Sequence, residues 1–169
     1  MIRLVRCDDR LIHGQCVLRV LSDYDIRHIL LADDILAQDS ALRAVVLLAA
    51  PLDIQTEIVS VSEAANRLPS LIAGKSHTML LVRSPSLALA LYAAVPALCV
   101  PCNIGPVAGG EGAVKITDYC RLDKPELCAV EKMAVLGVRV YFNQVIDQRA
   151  VEWTDVRLRF QEEALCGSH

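Results

Sequence analysis

The sequence predicts a single-domain α/β fold: an open, mainly parallel β-sheet with helices on both faces. Three observations lead there. Short apolar runs alternate with segments of helical period along almost the whole chain. The composition is 54% hydrophobic but only 4% aromatic, so the core is aliphatic, as suits strands covered on both sides. At 169 residues the chain can bury such a core without staples, and no linker, repeat or low-complexity stretch divides it.

The elements follow in order. "IRLV" (2–5) reads as a strand, and "GQCVLRVLSDY" (14–24) as a helix with Val17, Val20, Leu21 and Tyr24 on one face. Strand "HILLA" (28–32) comes next, then a loop "DDILAQD" (33–39). Asp39 can cap a helix over 40–50, whose apolar stripe is expected to be Leu42, Val45, Val46 and Ala49. "QTEIVS" (55–60) is a strand, and Ser60 with Glu63 forms a capping-box pattern before "AANRL". "TMLLV" (78–82) is a buried strand, Pro85 introduces a helix over 86–94, and "ALCV" (97–100) is expected as a strand. "VKIT" (114–117) is a short strand. Asp123 and Glu126 open a helix with Leu127, Val130 and Ala134 inward and Gly137 as its stop, and "VRVYF" (138–142) is the last strand. The tail from Asp147 is expected to carry a terminal helix near 155–165. The closing Gly-Ser-His is given no weight.

Composition also excludes. A net charge of −3 and the absence of basic clusters interleaved with aromatics argue against nucleic acid. Residues 85–108 carry no charge, yet Pro96, Pro101 and Pro106 interrupt them, and a membrane span needs ~20 continuous apolar residues. The N-terminus runs straight into a strand without a leader-like apolar region, so a cytoplasmic location is expected. The seven cysteines then read as reduced thiols, mostly small buried hydrophobes.

In open parallel sheets, chemistry sits at the carboxyl ends of strands. The first strand ends at "RCDDRLIHGQ" (6–15), which packs two acids, two arginines and a histidine into ten positions. Histidine is the side-chain type that changes charge near neutral pH, so His13 can act as base or nucleophile. Gly14 and Gln15 start a helix, where free backbone N–H groups favour an anion. Arg10 and Arg6 can neutralise phosphate oxygens with planar, multidentate donors. Asp8 and Asp9 can bond an imidazole nitrogen or orient the arginines. A nucleophilic imidazole beside an anion cradle suits transient phosphohistidine chemistry, because the group adds roughly −2 charge and needs donors in place. Residue types alone leave two other readings open: unrelated anion binding, and a solvated loop with a helix-capping histidine.

"LVRCDDRLIHGQCV" closely resembles the first active-site loop of the IIB components of the mannose/fructose/sorbose family of the bacterial phosphotransferase system, which typically reads R-I-D-D-R-L-I-H-G-Q-V. Further similar segments follow in order: "ILLADD" (29–34), "AAP" (49–51), "LLVRSP" (80–85), "NIG" (103–105) and "GVRVYFNQV" (137–145). The resemblance covers about residues 1–146. It implies a IIB phosphocarrier domain over 1–146 with a C-terminal tail over 147–169. His13 would accept a phosphoryl group from a phosphohistidine on a IIA protein and pass it to a sugar entering through membrane IIC and IID subunits. Such a chain is a protein-N(pi)-phosphohistidine–sugar phosphotransferase that works at the inner face of the membrane, with no metal or organic cofactor. Arg10, and secondarily Arg6, would stabilise the phosphoryl; Gly14, Gln15, Asp9 and Ser84 complete the expected binding set. Ser84, after the fourth strand, reaches the same crevice if the switch point lies between the first and fourth strands. A homo-oligomer is compatible with the sequence.

Departures from the family pattern fall at the rim. Cys7 and Cys16 replace aliphatic neighbours of the motif, "PVAGGEGAVKIT" (106–117) replaces a bulkier, more basic segment, and "QVID" (144–147) lacks a common proline. The rival reading is a non-catalytic regulatory or anion-binding subunit of the same fold.

Other candidate sites are weaker. Cys99 and Cys102 have C-x-x-C spacing but do not open a helix, and Cys120 and Cys128 are poorly placed as zinc ligands. Asp33 and Asp34 fit a capping or orienting pair better than a Mg²⁺ site. His28 and His77 start strands, the wrong end for chemistry in such a sheet. The glycines of 108–112 do not form a dinucleotide fingerprint.

Overall fold

A computed structural model describes residues 1–145 and 148–160. Seven strands form one sheet in the order β3-β2-β4-β1-β5-β8-β9. They are β1 (Ile2–Cys7), β2 (His28–Ala32), β3 (Gln55–Val59), β4 (Thr78–Val82), β5 (Cys102–Ile104), β8 (Val140–Phe142) and β9 (Val151–Glu152). Every pairing is parallel except β8 with β9. β6 (Val114–Lys115) and β7 (Arg121–Leu122) form a separate antiparallel hairpin. This is the expected open α/β sheet.

The helices are α1 (Gly14–Asp23), α2 (Asp34–Gln38), α3 (Ser40–Leu48), α4 (Val61–Ala73), α5 (Pro85–Ala94), α6 (Lys124–Val135) and α7 (Trp153–Val156), the last followed by a 3-10 turn at Arg157–Phe160. Alternate residues of the central strands feed two cores. Val5, Cys7, Leu30, Leu80 and Val82 join the cluster built with α4, α5 and α6. Leu4, Ile29, Leu31, Met79 and Leu81 join the cluster on the α1 side. All five residues of β2 and of β4 are buried, as strands covered on both faces require. Among the described residues, no helix is long and apolar enough to cross a membrane.

The helix boundaries follow local chemistry. Asp39 Oδ1 accepts from the N–H groups of Ala41 and Leu42, Ser60 Oγ from that of Glu63, and Asp123 Oδ1 from that of Glu126. Gly137 lies two residues beyond α6 with φ +83°, a conformation that glycine adopts without a Cβ clash.

Three expectations are corrected. Residues 97–100 are not a strand: pairing begins at Cys102, because Pro101 has no N–H to give a ladder, and Leu98 turns back to bond Val95 O. The expected loop at 33–39 contains α2, which Asp33 caps through Leu36 N–H. Of the stripe expected on α3 only Val46 packs against the core, beside Leu47 and Ala50; Leu42 is 46% and Val45 65% exposed, and Ala49 is exposed too. That helix is apolar nearly all round, so its pattern does not select a face. Cys7, Cys99, Cys102 and Cys120 are free thiols, and three of the four are buried.

The tail beyond the last parallel strand is anchored. β9 adds to the sheet edge, and Trp153 is 1% exposed between Phe142 and Phe160, with its indole N–H donating to Glu131. The helix expected near 155–165 is seen as α7 and the 3-10 turn; residues 161–165 lie outside the described residues.

Candidate functional site

The sheet order puts β1 at the centre of the carboxyl rim, between β4 and β5. The segment leaving it is held on both sides. Asp8 N–H donates to Val82 O at the end of β4, Asp9 N–H to Pro106 O beyond β5, and the Asp9 carboxylate accepts from Ala108 N–H at 2.6 Å. The segment then turns: Leu11 N–H donates to Asp8 O at 3.0 Å, and Leu11 takes a left-handed φ of +57°. Leu11 and Ile12 plug into the α1-side core. Burying those two side chains leaves Arg10 and His13 on the outside, and both are exposed.

His13 is the N-cap residue of α1, with extended backbone (φ −140°, ψ 108°), and its side chain makes no capping bond. Gly14 follows with φ +51°, and a Cβ there would meet nothing within 4 Å. Glycine is therefore needed for its backbone conformation and not for space. Gln15 occupies the second helical position. The first turn of α1 holds no acidic residue and no side-chain cap, so its positive end is not neutralised from within.

Behind this surface lies a buried polar assembly. Arg6 is 3% exposed, and four of its five N–H donors are placed. Its Nη1 donates to Asn103 Oδ1 and Asn143 O, and its Nη2 to Asp8 Oδ2 (3.0 Å) and Gln144 O (3.2 Å). Asp8, 2% exposed, accepts on its other oxygen from Arg10 N–H (3.1 Å) and approaches Arg10 Nε at 3.5 Å. Of the two side chains expected as phosphoryl ligands, Arg6 is thus engaged inside the protein, and Asp9, half-buried, is engaged by Ala108 N–H. Of the expected pairings, Asp8 orienting the arginines is the one found.

Ser84 caps α5 without using its hydroxyl, on the loop after β4, and β4 is indeed next to β1. Asp33 caps α2 and accepts from Arg83 Nε at 2.8 Å, while Asp34 accepts from Val61 N–H. No group of three or more potential metal ligands occurs among the described residues. Cys99 and Cys102 face different partners: Cys102 Sγ lies 3.8 Å from Cys7 Sγ, and Cys99 Sγ 3.8 Å from Pro96 O. Burial pushes the Cys7 thiol well up and the Cys120 thiol up to about 12, so neither is a ready thiolate. His28 is buried between Thr78 and Glu57, and His77 contacts Asp25, both at the amino ends of strands.

Sequence reasoning gave no role to Asn103, Gly105 or Asn143. A Cβ on Gly105 would stand 2.4 Å from Arg6 Nη2, so this glycine leaves the slot the guanidinium occupies. The available signal was one asparagine within a short buried strand and another just after one, where a buried amide needs partners.

The family model for the sorbose subfamily IIB component of the phosphotransferase system (PTS) matches residues 2–166. The chain belongs to this family. It is a IIB component of a sugar phosphotransferase system, with a phosphotransfer role. It is 28% identical over 154 residues to the PTS fructose-specific EIIB component of Bacillus subtilis, covering 90% of this chain and 93% of that protein. It is 23% identical over 157 residues to the mannose-specific EIIAB component of Escherichia coli, covering 92% of this chain but 48% of that longer protein. Among solved structures, the IIBSor domain of the Klebsiella pneumoniae sorbose permease superposes with a TM-score of 0.85 at 25% identity, over 98% of this chain and 99% of that one.

Proposed function

We propose that His13 is the residue on which this IIB component carries its phosphoryl group. The group comes from a phosphohistidine on a IIA protein. An imidazole nitrogen of His13 attacks phosphorus, the new P–N bond forms, and the donor's P–N bond breaks with its electron pair returning to the donor ring. In the second transfer a sugar hydroxyl oxygen attacks the same phosphorus. The P–N bond to His13 then breaks, and the hydroxyl proton is released. The sugar reaches the site from membrane IIC and IID subunits, so the chain works at the inner face of the membrane.

One observation carries the reading. His13 is exposed and uncapped at the start of a ten-residue helix, on the carboxyl rim of the central strand. A phosphoryl group there meets the positive end of α1, with backbone N–H groups from Gly14 and Gln15 onward. Arg10, exposed on the same turn, supplies the counter-charge. Arg6 and Asp9 act behind that surface by holding the loop to its neighbours, and Ser84 offers its free hydroxyl from the adjoining loop. No metal or organic cofactor is required by this chemistry.

The test mixes the protein with a phosphorylated IIA donor and looks for an acid-labile, base-stable adduct. The expected result is one phosphoryl per chain on the His13 peptide and none in His13→Ala. A labelled His13→Ala protein overturns the assignment. A folded wild-type protein that binds the donor without accepting phosphoryl supports a regulatory subunit instead.

A further inference from the structure

We infer that Asp8 is a positioning residue for phosphoryl transfer: it aims Arg10, and is itself aimed by a buried assembly that Arg6 gathers from three segments. The inference rests on the reading of His13 and Arg10 given above.

Asp8 is the junction. One carboxylate oxygen accepts from Arg6 Nη2, and the other takes the backbone N–H of Arg10 and faces its Nε. An oxygen bonding both main chain and side chain of one residue restricts where that side chain can point. Arg10 is otherwise on the surface, where a long flexible side chain samples many rotamers. Asp8 cannot wander, because it is buried and Arg6 holds it. Arg6 in turn is held by the Asn103 side chain and by the carbonyls of Asn143 and Gln144. Asn103 Nδ2 closes the ring by donating to Asn143 O at 3.2 Å. Gly105 leaves the slot, since any Cβ would overlap the guanidinium.

The arrangement puts two charges in the interior, where ion pairs stabilise poorly against apolar alternatives. Its use is geometric. It transmits the positions of the loops after β5 and β8 to the exposed Arg10 guanidinium, three residues before His13. It also accounts for three segments that sequence reading treats separately, "RCDDR" (6–10), "NIG" (103–105) and "FNQ" (142–144), as parts of one device.

A double-mutant cycle on transfer rate tests it. With a phosphorylated IIA protein as donor, Asp8→Asn is expected to lower kcat on the order of ten- to a hundredfold, with KM for the donor changed less than about threefold. In an Arg10→Ala background the same substitution is expected to change kcat by less than about twofold, because no side chain is left to aim. A merely structural role predicts equal losses in both backgrounds, and that result overturns the inference. So does full-rate transfer by folded Asp8→Asn. Should Asp8→Asn fail to fold, Gly105→Ala keeps every charge and displaces Arg6. It is expected to slow transfer in the wild-type background and to have no further effect with Arg10→Ala. Full-rate transfer by Gly105→Ala, or an equal loss in both backgrounds, overturns the inference. The reading it rests on fails separately, by phosphoryl uptake in His13→Ala or by an Arg10→Ala protein of wild-type rate.

Discussion

Leu11 is the anchor that leaves Arg10 and His13 outside, and it offers a quantitative check on the loop. It is 4% exposed and holds φ +57°, where a non-glycine residue costs about 1–2 kcal/mol. Truncation to alanine removes buried packing worth about 2–4 kcal/mol, toward the lower end here because a loop collapses more readily than a helix core. Alanine keeps the left-handed penalty. Leu11→Gly loses the same packing but escapes that penalty, while paying about 0.5–1 kcal/mol through the freer unfolded chain. Glycine is ordinarily the worse replacement by about that amount. Here the two contributions nearly cancel or favour glycine, so Leu11→Gly should be as stable as Leu11→Ala, or up to about 1 kcal/mol more stable. Urea unfolding followed by Trp153 fluorescence measures both, with equal m-values required for the comparison. If Leu11→Gly falls below Leu11→Ala by 0.5 kcal/mol or more, on the order of the usual glycine cost, the left-handed turn and the loop geometry built on it are wrong.

Further outcomes can be checked by equally direct means. Trp153→Ala should cost about 3–5 kcal/mol in urea unfolding, because the indole is buried between two aromatic rings and bonds Glu131; a loss below 1 kcal/mol would detach β9 and α7 from the core. Glu57 is held below the ordinary carboxylate range, first by its hydrogen bond from Arg67 and also by one from His28. Its contribution is complete above its unfolded pKa and is lost as pH falls through the depressed folded one, so Arg67→Ala should flatten the acid limb of stability and leave pH 7–8 behaviour parallel to wild type. Native-state thiol labelling read by peptide mass should modify Cys99 and spare Cys7, Cys102 and Cys120, and Cys102→Ser should transfer phosphoryl normally; a loss of transfer there would give the Cys99/Cys102 pair a role in the reaction.

Much of the fold was legible because the chain's local signals agree with its tertiary outcome. His28–Ala32 and Thr78–Val82 are continuous apolar runs bounded by polar residues, and they are strands with those limits. Asp39, Ser60 and Asp123 announce helices that they in fact cap. Where the pattern is degenerate, reading failed. The helix at 40–48 is apolar apart from Ser40 and Arg43, and only the partly buried Val46 and Leu47 pack on the core, a choice its pattern does not make. The uncharged run around 97–104 could place its strand before or after Pro101, and the proline's missing donor decided it.

By itself the sequence determined the alternation of strands and helices, and the concentration of ionisable residues after the first strand. It also placed a glycine behind His13, where the backbone takes a positive φ. Those are local properties, set by side-chain periodicity and backbone sterics within a few residues. Only the tertiary structure divided the charged residues by task, leaving Arg10 and His13 outside and drawing Arg6 and Asp8 into the interior. The partners that decide this, Asn103, Gly105, Asn143 and Gln144, lie 97 to 138 residues along the chain from Arg6. Which guanidinium is buried and which stays at the surface depends on desolvation and hydrogen bonding across adjacent strands, and no window of sequence contains that information.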